Sequence, residues 1–334
     1  MNRRHFLSSV GATFLLAPFP VEAQQTRKVY RIGHTFTGDL DPSWPAFVQG
    51  LRSLGWVEGK NIVFEYRQID IPPSGTLSDS KSIQQVAEEF VRIKVDVIVV
   101  AAAGWAQFIQ KMTGTIPIVV LSGGELVASG FVASLARPGG YITGMQTFAP
   151  ELQGKHLQIL KEIVPTLARV AVLRRGPWPP GAVAAFQQAA DDAAQKLSLR
   201  LRYVFFRNSD DLPSVFADMV NERGAAVLIW ADPAILLNMR QITGLAAQHR
   251  LPTIADTSIA AKSGGLISYS AKRSDLWKQA ATHVDRILKG AKPGDLPIGQ
   301  PTTFELVINL KTAKALGLTI PPSVLGRADQ IIDP

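Results

Sequence analysis

At 334 residues the chain exceeds one ordinary domain and has room for two lobes of roughly 150 residues, each with its own core. Hydrophobic residues make up 46% and charged residues 19%, proportions that exclude a disordered or fibrous chain. The net charge of +8 raises nucleic acid as a partner, but the lysines and arginines are scattered as doublets at 3–4, 27–28, 174–175 and 272–273. A phosphate-tracking surface gathers them on one face, so the charge is taken as a solvated basic surface and no nucleic acid is expected. The absence of cysteine excludes disulfides, thiolate metal sites, a cysteine nucleophile and a lipid-modified N-terminal cysteine.

The first 23 residues form an export signal. Arg3 and Arg4 give a charged start, residues 6–19 are apolar but too short to span a bilayer, and Val21-Glu22-Ala23 offers a small-x-small cleavage site. The order Arg3-Arg4-His5-Phe6-Leu7 also resembles the twin-arginine signal. Removal of residues 1–23 takes the charge only from +8 to +7, so the basic character belongs to the mature protein. A periplasmic location follows as the expectation.

Strand and helix patterns then alternate. Residues 29–34 form a short apolar strand, and Asp41-Pro42 resembles an N-cap with proline in the first turn. Trp44, Phe47, Val48, Leu51 and Leu54 follow at helical spacing. Strands are predicted at 61–67, 95–100 and 116–122, with a helix at 80–92; the apolar runs VDVIVV and IPIVVLS suit a parallel sheet buried on both faces. The pattern restarts near residue 169, with strands at 169–174, 200–206, 225–231 and 251–256 and helices around 182–196, 212–222 and 233–248. Two doubly wound Rossmann-like lobes follow, alike in element order and not in residues. A strand at 266–270, a long helix capped at Ser274, a Pro/Gly-rich crossing at 291–302 and a strand at 304–308 exceed what the second lobe needs.

The stretches FVQGLRSLGWVEGKNIVFEYR (47–67), FVASLARPGGYITGM (131–145) and the tail at 265–329, with FELVINLKTAKALGLTIPPS, resemble the ABC transporter substrate-binding protein family whose studied members bind tryptophan- or tyrosine-like amino acids. The resemblance spans residues 28–332. It implies an α/β type I periplasmic-binding-protein fold, two lobes on a three-segment hinge, with lobe one at 28–146 plus 268–300 and lobe two at 147–267 plus 301–332. It implies lobe closure on a small ligand and transient docking on an inner-membrane ABC permease, as a monomer without a cofactor.

Ligands in open parallel sheets sit beyond the carboxyl ends of the strands. The residues expected there are Thr35, Phe36, Thr37 and Trp44; Ala103, Gly104 and Trp105; Ser122 and Gly123; then Arg175, Trp178, Asp232 and Asp256, with Tyr269 between the lobes. Hydroxyls and amides suit a carboxylate, Asp232 and Asp256 an ammonium group, and the tryptophans a flat ligand, Trp178 foremost. Trp56 and Trp277 look structural. Asp232 and Asp256 serve equally well as helix caps, and Gly123-Gly124 as a turn. The run RRGPWPP (174–180) and Gly123-Gly124-Glu125 depart from the family pattern, so Arg174 or Arg175 is a candidate for an acidic group.

An enzyme is the main rival. The chain carries no G-x-G-x-x-G, phosphate loop or nucleophile elbow, and its five histidines, His5, His34, His156, His249 and His283, are too far apart for a metal cluster. A ligand-responsive sensor facing a membrane receptor is the other rival. A repressor of the same fold needs a helix-turn-helix where the export signal stands.

Overall fold

The computed structural model describes residues 28–38, 40–70, 81–123, 126–127, 129–147, 150, 152–176, 180–220 and 225–333. The export signal, Ser80, Gly124, Glu125 and Trp178 lie outside the described residues.

Lobe one is built from β1 (Tyr30–Phe36), α1 (Trp44–Ser53), β2 (Ile62–Gln68), α2 (Lys81–Arg92), β3 (Val97–Ala102), α3 (Ala103–Thr113), β4 (Ile118–Gly123) and β5 (Ile142–Gln146). Its sheet runs β2-β1-β3-β4-β5, all parallel. The unbroken apolar runs of β3 and β4 are covered on both sides, which suits β-branched residues with no polar face to offer. On α2, Ile83, Val86, Ala87 and Phe90 share one buried face at i, i+3, i+4, i+7.

Lobe two follows with α4 (Leu152–Ile163), β6 (Arg169–Arg175), α5 (Pro180–Lys196), β7 (Arg200–Phe206), α6 (Leu212–Val220), β8 (Ala225–Ile229), α7 (Pro233–Leu237), α8 (Met239–Gln248), β9 (Thr253–Ala255), α9 (Ser258–Lys262) and β10 (Ile267–Ala271). After α10 (Arg273–Leu288) come β11 (Phe304–Asn309), α11 (Leu310–Leu316), α12 (Pro322–Leu325) and β12 (Gln330–Ile332). The second sheet runs β12-β11-β10-β9-β8-β6-β7. Leaving aside β11 and β12, each sheet has the order second, first, third, fourth, fifth, so the likeness of the halves is one of topology.

That shared order corrects the second crossing point. Residues 268–271 were expected in lobe one, but β10 pairs with β9 and β11 and is the fifth strand of lobe two, as β5 is of lobe one. The chain leaves each lobe only after its fifth strand is in place. The helix after each crossing then packs on the other lobe: α4 joins the core of the second sheet, and Leu276, Trp277, Ala280 and Val284 of α10 join α1 on the first.

Three strands cross between the lobes side by side. Gly299 N–H donates to Gly144 O and Gln146 N–H to Gly299 O, both at 2.8 Å, and Lys272 N–H donates to Thr303 O at 3.0 Å. Gly144 is required there, because its φ is +131° and a Cβ would stand 2.1 Å from Val120 O.

Two caps differ from expectation. α1 begins after Ser43, and Asp41 accepts from Ser43 N–H at 2.8 Å instead of capping the helix. α10 begins after Lys272, not Ser274.

Candidate functional site

A pocket opens at the carboxyl ends of the second sheet, against the start of α10, with a cavity volume of about 80 Å³ and a mouth open to solvent. Phe186 of α5, Leu152 of α4, Leu236 of α7 and Leu276 of α10 supply apolar wall. The polar groups are Asp256, Thr257 and Ser258 after β9, Ser270 at the end of β10, Arg273 of α10, Thr147 after β5 and Gln153 of α4. Both crossing segments that leave a fifth strand therefore contribute to it, and the ligand space lies at the junction of the lobes.

Asp256 stands just past β9, where its Oδ1 accepts from Ala231 N–H at 2.9 Å. Burial pushes its carboxyl up to about 7; hydrogen bonding from Ala231 N–H opposes this, and the nearby Asp232 charge adds to it. Asp232 caps α7, accepting from Ile235 N–H at 2.7 Å. The capping role considered for Asp256 falls to Thr257, whose Oγ1 accepts from Ile259 N–H at 3.4 Å. Of the two acids, Asp256 is the one on the pocket wall.

Arg273 is held along one edge. Asp41 Oδ2 accepts from its Nε at 2.7 Å and lies 2.5 Å from Nη2, and the same oxygen accepts from Trp277 Nε1 at 3.0 Å. Burial raises the Asp41 carboxyl, but the Arg273 charge and the hydrogen bonds of Arg273, Ser43 and Trp277 outweigh it and hold Asp41 below the ordinary carboxylate range. On the opposite side, Gln153 Oε1 accepts from Trp230 Nε1 at 2.7 Å, which fixes the amide and leaves its NH2 group as a donor toward the pocket.

Among the expected site residues whose side chains the structure describes, only Asp256 lines this pocket, with Asp232 beside it. Trp44 is 3% and Trp105 1% exposed, so both are core residues and not rim aromatics. Trp44 stacks on His34 at 4.0 Å and donates to Tyr66 Oη at 3.1 Å, closing an aromatic cluster with Phe47, Phe64 and Trp277. The first turn of α1 or α3 turns inward to cover the sheet, and a tryptophan there has more apolar surface to bury inward than outward. His34 donates from Nδ1 to Val99 O at 3.1 Å, the local role expected for it.

Thr35 is fully buried, and its Oγ1 has no partner among the described residues. Phe36 and Thr37 are half-buried at the end of β1, Ala103 is buried, Gly104 exposed, and Ser122 and Gly123 end β4 beside Ala102 and Gln146. These lobe-one residues share the carboxyl edge of the first sheet, and Thr35, Phe36, Thr37, Ala103 and Gly104 do not line the pocket. Arg175 donates from Nε to Arg207 O at 3.3 Å, away from it. Tyr269 packs into the lobe-two core, stacked on Phe304 at 5.8 Å, while its carbonyl accepts from His156 Nε2 at 2.7 Å; its neighbour Ser270 reaches the pocket instead. Trp56 and Trp277 are structural, as expected: Trp56 Nε1 donates to Asp285 at 2.8 Å and Trp277 is fully buried. Arg273, Gln153, Phe186 and Ser270 were not anticipated. For Gln153, Ser270 and Arg273 the signal was the position of the crossings, since residues at and after the end of each fifth strand face the other lobe; Phe186, on α5, carried no such signal.

Among the described residues no group of histidines and acids is placed to hold a metal ion, and no helix is long and apolar enough to cross a membrane.

Comparisons with known proteins agree with this architecture. The chain is 23% identical over 279 residues to a tyrosine-binding protein of Clostridioides difficile, covering 84% of this chain and 77% of that one. A conserved domain protein of Vibrio cholerae superposes with a TM-score of 0.78 at 26% identity, covering 91% of this chain and all of that one. A Streptococcus pneumonia ABC domain in complex with L-Trp superposes with the same TM-score of 0.78 at 22% identity, again over 91% of this chain and all of that one, and this likeness concerns the fold. Residues 39–332 match the family described as ABC transporter substrate binding protein, and the chain belongs to that family.

Proposed function

We propose that the chain is the periplasmic solute-capturing component of an ABC importer, and that it takes a small amino-acid-like ligand with an aromatic body by closure of the lobes, without chemistry on the ligand. The observation that carries this is the pocket at the lobe junction, where a buried-type carboxyl (Asp256) and a guanidinium (Arg273) face a space walled by Phe186, Leu152 and Leu276. Opposite charges over apolar wall fit a zwitterion with a flat side chain. The tyrosine-binding relative and the L-Trp-bound neighbour support the same ligand class.

Closure is supported by the hinge. Only three chain crossings join the lobes, and the rims already approach at Gly38, where an added Cβ would stand 3.7 Å from Leu237 Cδ2. The export signal and a monomeric state belong to this same proposal.

Thermal stabilisation by a panel of amino acids, aromatic acids and amines tests it. At ligand concentrations of 100 times Kd the expected stabilisation is about 2.7 kcal/mol. Tryptophan fluorescence gives a second readout through Trp230, whose ring packs 5.5 Å from Phe186 of the pocket wall and whose Nε1 holds Gln153. If no aromatic amino acid or aromatic acid moves either signal, the ligand class is wrong.

A further inference from the structure

We propose that Arg273 is the specificity-determining residue of the pocket, reading a free carboxylate on the ligand through its Nη1 edge; this rests on the reading of the pocket as the ligand site. Notice how the guanidinium is held. Nε and Nη2 both face Asp41 Oδ2, the side chain is 23% exposed, and Nη1 has no acceptor among the described residues although Arg273 lines the pocket. A planar fork gripped along one edge offers the other in a fixed direction, the geometry that pairs with a carboxylate.

The grip is itself fixed. Asp41 also accepts from Ser43 N–H at 2.8 Å and Trp277 Nε1 at 3.0 Å, and Trp277 is fully buried between α1 and α10. Arg273 therefore gives up little side-chain freedom on meeting a ligand, which favours affinity. Its place in the first turn of the 16-residue α10 adds the positive end of the helix dipole to the same side of the pocket. Asp41 offsets the guanidinium charge, so discrimination rests on the directed N–H groups of the Nη1 edge, and among the described residues Arg273 is the one cation on the pocket wall, where neither Arg174 nor Arg175 of the sequence expectation stands.

The geometry also assigns the two charges to different lobes. Arg273 belongs to α10, packed on lobe one, and Asp256 to the strand ends of lobe two. A ligand with a carboxylate and an ammonium group bridges them, whereas one lacking the carboxylate touches lobe two alone.

Titration calorimetry of the purified chain with L-tyrosine and L-tryptophan, with tyramine and tryptamine, and with 3-(4-hydroxyphenyl)propionate and indole-3-propionate tests this. In the wild type, amines should bind at least ~30-fold more weakly than their amino acids, the loss of a charge-assisted hydrogen-bonded pair. Arg273→Gln should weaken the amino acids and the acids by ~30-fold and shrink the gap between amino acid and amine to about threefold or less, while Arg273→Lys recovers only part of it. Because Arg273→Gln leaves Asp41 without its cation, the double variant D41N/R273Q, which restores a neutral pair, is measured alongside and should show the same loss of discrimination. Amines binding the wild type as well as amino acids do, or an unchanged gap in both variants, overturns the inference and leaves the ligand-class reading standing. Failure of all six probes to bind the wild type overturns both.

Discussion

Asp256 shows what a single residue can be asked. Its carboxyl is pushed up to about 7 by burial, with the nearby Asp232 charge adding to the rise and the Ala231 N–H opposing it, so the empty protein carries a proton there that the unfolded chain releases near pH 4. The folded pKa is the higher one, so this contribution is fully present below about pH 4 and is lost progressively as pH rises from 4 through 7. Linkage sets the size at up to about 4 kcal/mol, and less because water reaches the pocket wall. Asp256→Asn keeps an oxygen for Ala231 N–H and removes the charge. The variant should melt higher than the wild type at pH 8, by less at pH 5 and alike at about pH 4, and should bind aromatic amino acids at least ~10-fold more weakly while leaving the matching propionates unharmed. Equal melting at pH 8 means that the carboxyl is solvated. Asp256 was legible because a carboxylate just past a parallel strand has few places to point. The tryptophans misled for the opposite reason: a residue in the first turn after a strand has the same sequence signature whether it turns to the cleft or to the sheet, and Trp44 and Trp105 turn to the sheet.

At the scale of elements, the alternation of strands and helices carried the two lobes, and the apolar runs placed β3, β4, β6 and β8 to within two residues. The second crossing was misplaced because LISYS has the same pattern whether it ends one sheet or begins a return to the other, and only pairing with β9 and β11 decides. Moving that boundary is what brings Arg273 and Ser270 to the pocket. The hinge also shows which glycines are structural. At Gly144 an alanine Cβ would overlap Val120 O at 2.1 Å, on backbone that cannot shift without parting β4 from β5. Gly290, with φ +99° and nothing within 4 Å, has only the conformational penalty. Gly290→Ala should cost roughly 1 kcal/mol and Gly144→Ala at least about 3 kcal/mol in urea denaturation, or prevent folding. Comparable losses at both would mean that strand spacing at the hinge is softer than the contact implies.

For the whole molecule, the buried titratable groups set a pH of greatest stability. Burial lowers His34 and His156 to about 4, outweighing the backbone carbonyl that each ring donates to, Val99 O for one and Tyr269 O for the other, which favours the protonated form. Their folded pKa lies below the unfolded value of about 6.5, so the unfolded chain takes up protons first and stability falls as pH drops from 6.5 to 4. At full burial each is worth roughly 3 kcal/mol, and the pair approaches the whole stability of an ordinary domain. Asp256 works in the other direction, its contribution draining away as pH rises toward 7. Between pH 4 and 6.5 two histidines oppose one carboxyl, so stability climbs with pH; above 6.5 only the carboxyl still titrates, and stability turns down. The melting temperature of the ligand-free chain should therefore peak between about pH 6 and 7, and Asp256→Asn should remove the downturn above 6.5 and steepen the rise between pH 4 and 6.5, where the carboxyl no longer opposes the histidines. A bound aromatic amino acid, whose ammonium group holds Asp256 ionised, should move the maximum upward in pH. A profile that rises steadily to pH 8.5 without ligand would show that the carboxyl meets water even in the empty cleft.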